Sequence, residues 1–217
     1  MSNPLLYTYR RCPYAMRARM ALLQAGVAYQ AHELTSLRDK PAEMLAVSPK
    51  GTVPVLVRKD QVLEQSLDIV QWALQQNDPA AWSTSGSSQH EEALALVQQC
   101  DGEFKQHLDR YKYPNRYDLP DGLAHRQGGS EFLELLNTRL SQTAGLMGAQ
   151  WCWVDAAIAP FVRQFARTDR EWFDAQAWLP LQNWLTHFEN SEAYAVVMHK
   201  YKVWHQGAKP VSYPATS

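Results

Sequence analysis

Long apolar runs are missing from this chain of 217 residues. No segment approaches the ~20 consecutive apolar residues that a bilayer-spanning helix needs, so a membrane protein is not expected. The opening stretch, MSNPLLYTYRR, has no basic segment followed by an apolar one, and no secretion signal is expected. Net charge is missing as well. The 21 Lys and Arg against 22 Asp and Glu leave a formal charge of -1, which removes any bulk pull toward nucleic acid or an anionic membrane. Cysteine is scarce: Cys12, Cys100 and Cys152 are odd in number and far apart, a poor disulfide framework that fits a reducing compartment. The seven histidines show no H-x-x-x-H spacing, and with no cysteine pairs beside them no metal site is expected. Repeats, low-complexity tracts and heptad arrays are also absent. What remains is the composition of a soluble cytoplasmic protein, 46% apolar and 20% charged, long enough for one large domain or two small ones.

The first eighty residues alternate strand and helix signals. PLLYTY (4–9) and VAYQAHEL (27–34) read as strands around a helix that starts at Pro13 and is stopped by Gly26. DKPAEMLAV (39–47) reads as a short helix with Asp39 as its N-cap. TVPVLVRK and QVLE form a hairpin around Lys59–Asp60, and an amphipathic helix starts at Ser66. The order βαβ, α, ββα calls for a parallel crossover followed by a hairpin. NDPAAWSTSGSSQH (77–90) is rich in Pro, Gly and Ser and reads as a linker. Beyond it only helical periods are found, at 90–112, 130–144, 153–168, 177–189 and 191–201. The expected division is residues 1–77, a linker at 78–89, and an all-helical part at 90–217.

Cys12 stands between the first strand and the first helix. Pro13 suits the first helical position, where its missing N–H costs nothing. Cys12 is then the N-cap, with its sulfur near unpaired N–H groups and the positive end of the helix dipole, and Arg10 and Arg11 precede it. Such settings bring a thiol pKa from ~8.5 to roughly 3.5–7.5. Ala15 stands where a C-x-x-C motif would place a second cysteine, so an external thiol must complete any redox cycle.

The βαβ–α–ββα order, CPYA before the first helix, SPKGTVPVL and the S-x-D-I-V-x-W helix resemble glutathione transferases over nearly the whole chain. CPYA is similar to the omega class and to two-domain bacterial glutaredoxins. The resemblance implies a thioredoxin-like N-terminal domain, an all-α C-terminal domain and a homodimer, with glutathione as co-substrate. It implies Cys12 as nucleophile and Val53–Pro54 as the Val–cis-Pro whose backbone pairs with the cysteinyl part of glutathione. It places Tyr14 along the glutathione site, Lys40 or Lys50 at the glycine carboxylate, and Ser66 at the γ-glutamyl carboxylate. Gln65 departs from the family's usual glutamate and removes a charge that would face the ligand's ammonium. Asp101 interrupts the apolar series Leu94, Val97, Phe104, Leu108 and Tyr111. It either supplies the charge that Gln65 lacks or is paired elsewhere. CWVDAAIAPF (152–161) is similar to the family's S/T-x-x-D box, with Cys152 in the Ser/Thr place and both Cys152 and Asp155 structural.

The activity implied is thiol transfer through a Cys12–glutathione mixed disulfide. Small disulfides, glutathionylated proteins and dehydroascorbate are the expected substrates. Conjugation of glutathione to electrophiles, with Tyr9 supplying a hydroxyl, is the enzymatic alternative. Stringent starvation proteins, which bind RNA polymerase, are the non-enzymatic one. DRYKYPNRY (109–117) mixes basic and aromatic residues and is expected at a pocket mouth rather than on nucleic acid. Trp172, Phe173, Trp178, Trp184 and Phe188 are expected in the core, and Trp204 and His205 at a pocket border.

Overall fold

The computed structural model of the chain describes residues 3–205, 207–208 and 211–213. In chain order its elements are β1 (Leu5–Thr8), α1 (Pro13–Gln24), β2 (Tyr29–Glu33), α2 (Ala42–Val47), β3 (Val55–Val57), β4 (Val62–Leu63), α3 (Ser66–Gln76), α4 (His90–Gln99), α5 (Lys105–Lys112), α6 (Leu123–Leu140), α7 (Trp153–Ala166), α8 (Arg170–Asp174), α9 (Leu179–Asn190), α10 (Glu192–Val197) and β5 (Val211–Tyr213). A π-helical stretch, Cys100–Phe104, joins α4 to α5. Two compact units result: the described residues up to Ser83 together with those from Ser191 onward, and Thr84–Asn190.

The first unit is built on a sheet of order β4-β3-β1-β2-β5. β1 runs parallel to β2, with Leu5 opposite Gln30 and Tyr7 opposite His32, and antiparallel to β3. The β3–β4 hairpin closes through Arg58 N–H to the Gln61 carbonyl at 2.8 Å, as the Lys59–Asp60 signal requires. Alternation sends Tyr7 and Val55 to the same face, where they cluster with Cys12, Ala15, Leu34, Met44 and Val53. α1 packs along α3 and is buried on almost every side, including Arg17 and Arg19. Gly26 at φ +64° ends α1: its N–H bonds the Leu23 carbonyl and Val27 N–H bonds that of Leu22. α2 starts later than expected. Its N-cap is Pro41, not Asp39, and Pro41 keeps its own residue extended at ψ 141°.

The chain returns to this unit at its far end. Residues from Ser191 onward, expected with the helical part, contribute α10 against α1 and strand β5 on the free edge of β2. Tyr213 lies opposite Tyr29 and stacks on it at 4.8 Å between ring centres. A three-residue strand carries no periodicity of its own, and its pairing spans most of the chain.

The second unit is helical. α6 begins at Leu123, well before the expected residue 130, and runs straight through Gly128 and Gly129. Glycine in a helix interior is disfavoured by roughly 0.5–1 kcal/mol, but a Cβ on Gly128 would meet the His107 ring at 2.3 Å and one on Gly129 the Phe165 ring at 2.6 Å. The two glycines admit α5 and α7. Phe104, Phe132 and Phe165 fill the space between, with ring centres 4.9 and 5.5 Å apart. α8, absent from the sequence reading, is a five-residue helix capped by Asp169, which accepts from Trp172 N–H at 3.1 Å.

Asp155 organises this unit. Its carboxylate is fully buried and accepts from Cys152 N–H at 3.0 Å, Leu146 N–H at 2.9 Å and the Trp184 indole at 2.8 Å. Burial raises its pKa, and these hydrogen bonds oppose the rise. Cys152 and Asp155 close the expected capping box at the start of α7. Burial, with the neighbouring Asp155 charge, pushes the Cys152 thiol up to about 12. The expected linker is itself fixed at both ends: Asp78 accepts from Trp82 and Ser83 N–H at 2.8 Å, and Thr84 accepts from the Trp153 indole at 2.9 Å. No helix among the described residues is long and apolar enough to cross a membrane.

Candidate active site

Strand β1 delivers the chain to the thiol. Cys12 N–H bonds back to the Tyr9 carbonyl at 3.0 Å, and the Cys12 carbonyl accepts from Met16 N–H at 2.9 Å. Cys12 is thereby the extended N-cap of α1, with Pro13 in the first helical position. It is 8% exposed, among Tyr7, Ala15, Met44 and Val53, with Tyr9 and Tyr14 packed at the edge of the cluster. One detail differs from the expectation. The sulfur makes no capping bond to a helix N–H; it lies 3.8 Å from the Val53 carbonyl oxygen. A carbonyl accepts from a thiol S–H and repels a thiolate, so the positive end of α1 must act against that contact to ionise the group. Arg10 and Arg11 are engaged nearby: Arg10 donates to the Met198 carbonyl at 3.4 Å and Arg11 to the Tyr9 hydroxyl at 3.0 Å.

The Val53–Pro54 peptide is cis and buried, beside the thiol. Further along, Gln65 rather than Ser66 is the N-cap of α3, and Ser66 is its first residue, 7% exposed. The N–H groups at this end of an eleven-residue helix suit an anion. Arg17, missed by sequence reasoning, is fully buried and places Nη1 3.4 Å from Ser66 Oγ with its guanidinium 5.3 Å from the Tyr14 ring centre. Its signal was its position: four residues after Pro13, it falls on the buried side of a helix whose other arginine, Arg19, is also buried. Ser48 and Glu64 were missed too. Ser48 donates to Glu64 Oε1 at 2.5 Å and ties the loop before Val53 to the start of α3.

Residues 6–82 match the family model described as glutathione S-transferase, N-terminal domain. The whole fold has solved counterparts. A glutathione transferase family member from Pseudomonas fluorescens pf-5, solved with two glutathione bound, superposes with TM-score 0.78 at 18% identity, covering 91% of this chain and 92% of that one. A glutathione S-transferase from Rhodospirillum rubrum F11 gives 0.76 at 19%, covering 95% and 96%. Glutathione transferase Omega 3C from Trametes versicolor gives 0.74 at 20%, covering 93% and 91%. Residues 6–82 thus match the glutathione S-transferase N-terminal domain, and the whole chain shares the fold of these solved structures.

Among the positions carried over from the glutathione transferases, Cys12, Tyr14, Val53, Pro54, Gln65 and Ser66 all fall in the first unit. Lys50 is exposed and donates to the Glu64 carbonyl at 3.4 Å, one residue from Gln65. Lys40 donates to the Leu37 carbonyl in its own loop. Asp101 lies in the second unit, half-buried in the π-helical stretch that follows α4. Trp204 belongs to the first unit, where it stacks on His32 at 4.1 Å, and His32 meets the Tyr7 ring edge at 5.2 Å. Burial lowers the His32 pKa and raises that of Tyr7. Of the aromatics expected in the second core, Phe173, Trp178, Trp184 and Phe188 are buried, whereas Trp172 is half-buried under Arg126, 4.5 Å from its ring centre.

Proposed function

We propose that the chain is a glutathione-dependent thiol transferase with Cys12 as its nucleophile. The observation that carries this reading is Cys12 at the N-terminus of α1 with its sulfur against the Val53 backbone. Glutathione lies extended along Val53, its γ-glutamyl carboxylate at Ser66 and the start of α3, with Tyr14 alongside. Lys50 or Lys40 takes its glycine carboxylate, and Gln65 faces its ammonium without a charge. The Cys12 thiolate attacks the glutathionyl sulfur of a mixed disulfide, and the released thiolate takes a proton and leaves. A second glutathione thiolate attacks the glutathione sulfur of the Cys12 adduct, which regenerates the Cys12 thiolate and releases oxidised glutathione. Substrates of this class are small disulfides and glutathionylated proteins. None of the three cysteines is in a disulfide, in keeping with a reducing, cytoplasmic setting, and the working form we infer is a homodimer.

Retention on glutathione–agarose followed by a disulfide-reduction assay tests the reading. Binding with reduction supports it. Binding with aryl-halide conjugation that survives Cys12→Ala would move the chemistry to Tyr9, and failure to bind would favour a protein-binding role such as contact with RNA polymerase.

A further inference from the structure

Cys12 closes a turn that starts at Tyr9, with Arg10 and Arg11 as its central residues. Both polar groups of the Arg10 backbone are held by charged side chains. Its N–H donates to Glu33 Oε1 at 2.6 Å, and its carbonyl accepts from Arg19 Nη2 at 2.7 Å. The two holders come from different elements. Glu33 ends β2, opposite Thr8 of β1, and Arg19 lies in the middle of α1. Each is itself fixed. Arg19 Nη1 donates to Thr8 Oγ1 at 2.7 Å, and the Glu33 carbonyl accepts from Trp204 N–H at 2.9 Å. The Arg10 side chain takes no part in this grip, since its Nη1 donates to the Met198 carbonyl.

A turn at a surface needs no such clamp, because water satisfies its N–H and C=O. Here a buried guanidinium and a half-buried carboxylate are both engaged by one peptide, although taking either out of water is costly. Burial raises the Glu33 pKa, and the bond from Arg10 N–H with the Arg19 and Arg10 charges opposes the rise. Hydrogen bonds with one ionised partner are roughly twice as strong as neutral ones. They fix the backbone two residues before Cys12. Where the attacking sulfur stands then matters, because a misplacement of about 1 Å can cost on the order of 10²-fold in rate. We infer that Arg19 and Glu33 are positioning residues for Cys12: by clamping the Arg10 peptide from two sides, they hold the sulfur where attack on a disulfide requires it. The inference rests on the reading of Cys12 as nucleophile.

Transfer of glutathione from a model mixed disulfide to Cys12 is timed by intact mass on the full chain. Alkylation of the same sulfur by iodoacetamide, in which the thiolate displaces iodide, is timed beside it and demands little orientation. Glu33→Ala and Arg19→Met should slow transfer on the order of tenfold, while Cys12 is alkylated at least as fast as in the parent. Cys100 and Cys152 are buried, so their continued resistance to iodoacetamide shows that a variant keeps its fold. Glu33→Gln, which retains an acceptor for the Arg10 N–H, should recover most of the rate. Arg10→Ala removes a charge but leaves the clamped groups in place, and should slow transfer by no more than about threefold. Transfer within about threefold of the parent in both Glu33→Ala and Arg19→Met would overturn the inference. So would an equal loss in alkylation, which would assign the effect to ionisation of the thiol. A parent chain that takes up no glutathione on Cys12 would instead overturn the reading of the nucleophile, and the inference with it.

Discussion

Cys12 and Cys152 occupy the same local position in the two units: each is the extended N-cap of a helix, and each is 8% exposed. Their surroundings differ at the next residues. After Cys152 comes Asp155 at the third helical position, which closes a capping box with it and sets a buried carboxylate beside the sulfur. Burial, and then that charge, hold the proton on Cys152 far above neutral pH. After Cys12 comes Pro13, no acid stands in the first turn of α1, and the sulfur rests against a backbone carbonyl that lies beside a proposed ligand site. A helix N-terminus alone therefore does not make a cysteine reactive. At Cys152 burial has the larger effect, and the acid at the third helical position adds to it.

The sharpest way to break this comparison is to exchange the sulfurs. Cys12→Ser should lower turnover with a model mixed disulfide by about 10³-fold or more, while Cys152→Ser, which restores the stronger serine cap, should stay within about twofold of the parent. Equal losses in the two variants would erase the distinction.

The next effect is on folding. Asp155→Ala leaves the Leu146, Cys152 and Trp184 donors buried without their acceptor, and should destabilise the chain by about 3–5 kcal/mol in denaturant unfolding. A change below about 1 kcal/mol would remove Asp155 from its organising place.

The smallest is a pH effect within the first unit. Burial holds the folded-state pKa of His32 below its unfolded value of about 6.5, against the opposing pull of Glu43. The stability from keeping His32 neutral is therefore complete above about pH 6.5 and is lost as pH falls through the folded pKa. His32→Phe, which preserves the stack on Trp204, should flatten the acid side of the unfolding profile by about 1 kcal/mol or less. An unaltered profile would assign the slope to other groups, such as His125 in the second unit, whose pKa is also lowered.

Much of this was legible in the sequence where the signal is local. Pro13 and Gly26 bracket α1, Lys59–Asp60 marks the hairpin, and Cys152 with Asp155 reads as a capping box. The parts that were not legible depend on contacts distant along the chain. β5 is three residues long and exists because Tyr29 offers a partner edge. The start of α6 was obscured by Gly128 and Gly129, which look like breakers until the His107 and Phe165 rings that fill their missing Cβ positions are known. At the candidate site, Cys12, Val53–Pro54 and Ser66 stood out by motif. Arg17 did not, because an arginine in a helix ordinarily points to solvent, and only the packing of α1 against α3 buries it beside Ser66. The cap geometry was also read too simply: a sulfur at an N-cap was expected to meet N–H groups, yet it meets the Val53 carbonyl.

Intact-mass spectrometry after treatment with oxidised glutathione tests the central claim most directly. Ala15, fully buried, occupies the place of a resolving cysteine, and both Cys100 and Cys152 are buried. The account predicts one adduct of about 305 Da, located on Cys12 by peptide mapping and removed by excess reduced glutathione. An adduct on Cys152, or an internal disulfide formed by Cys12 in its place, would contradict it.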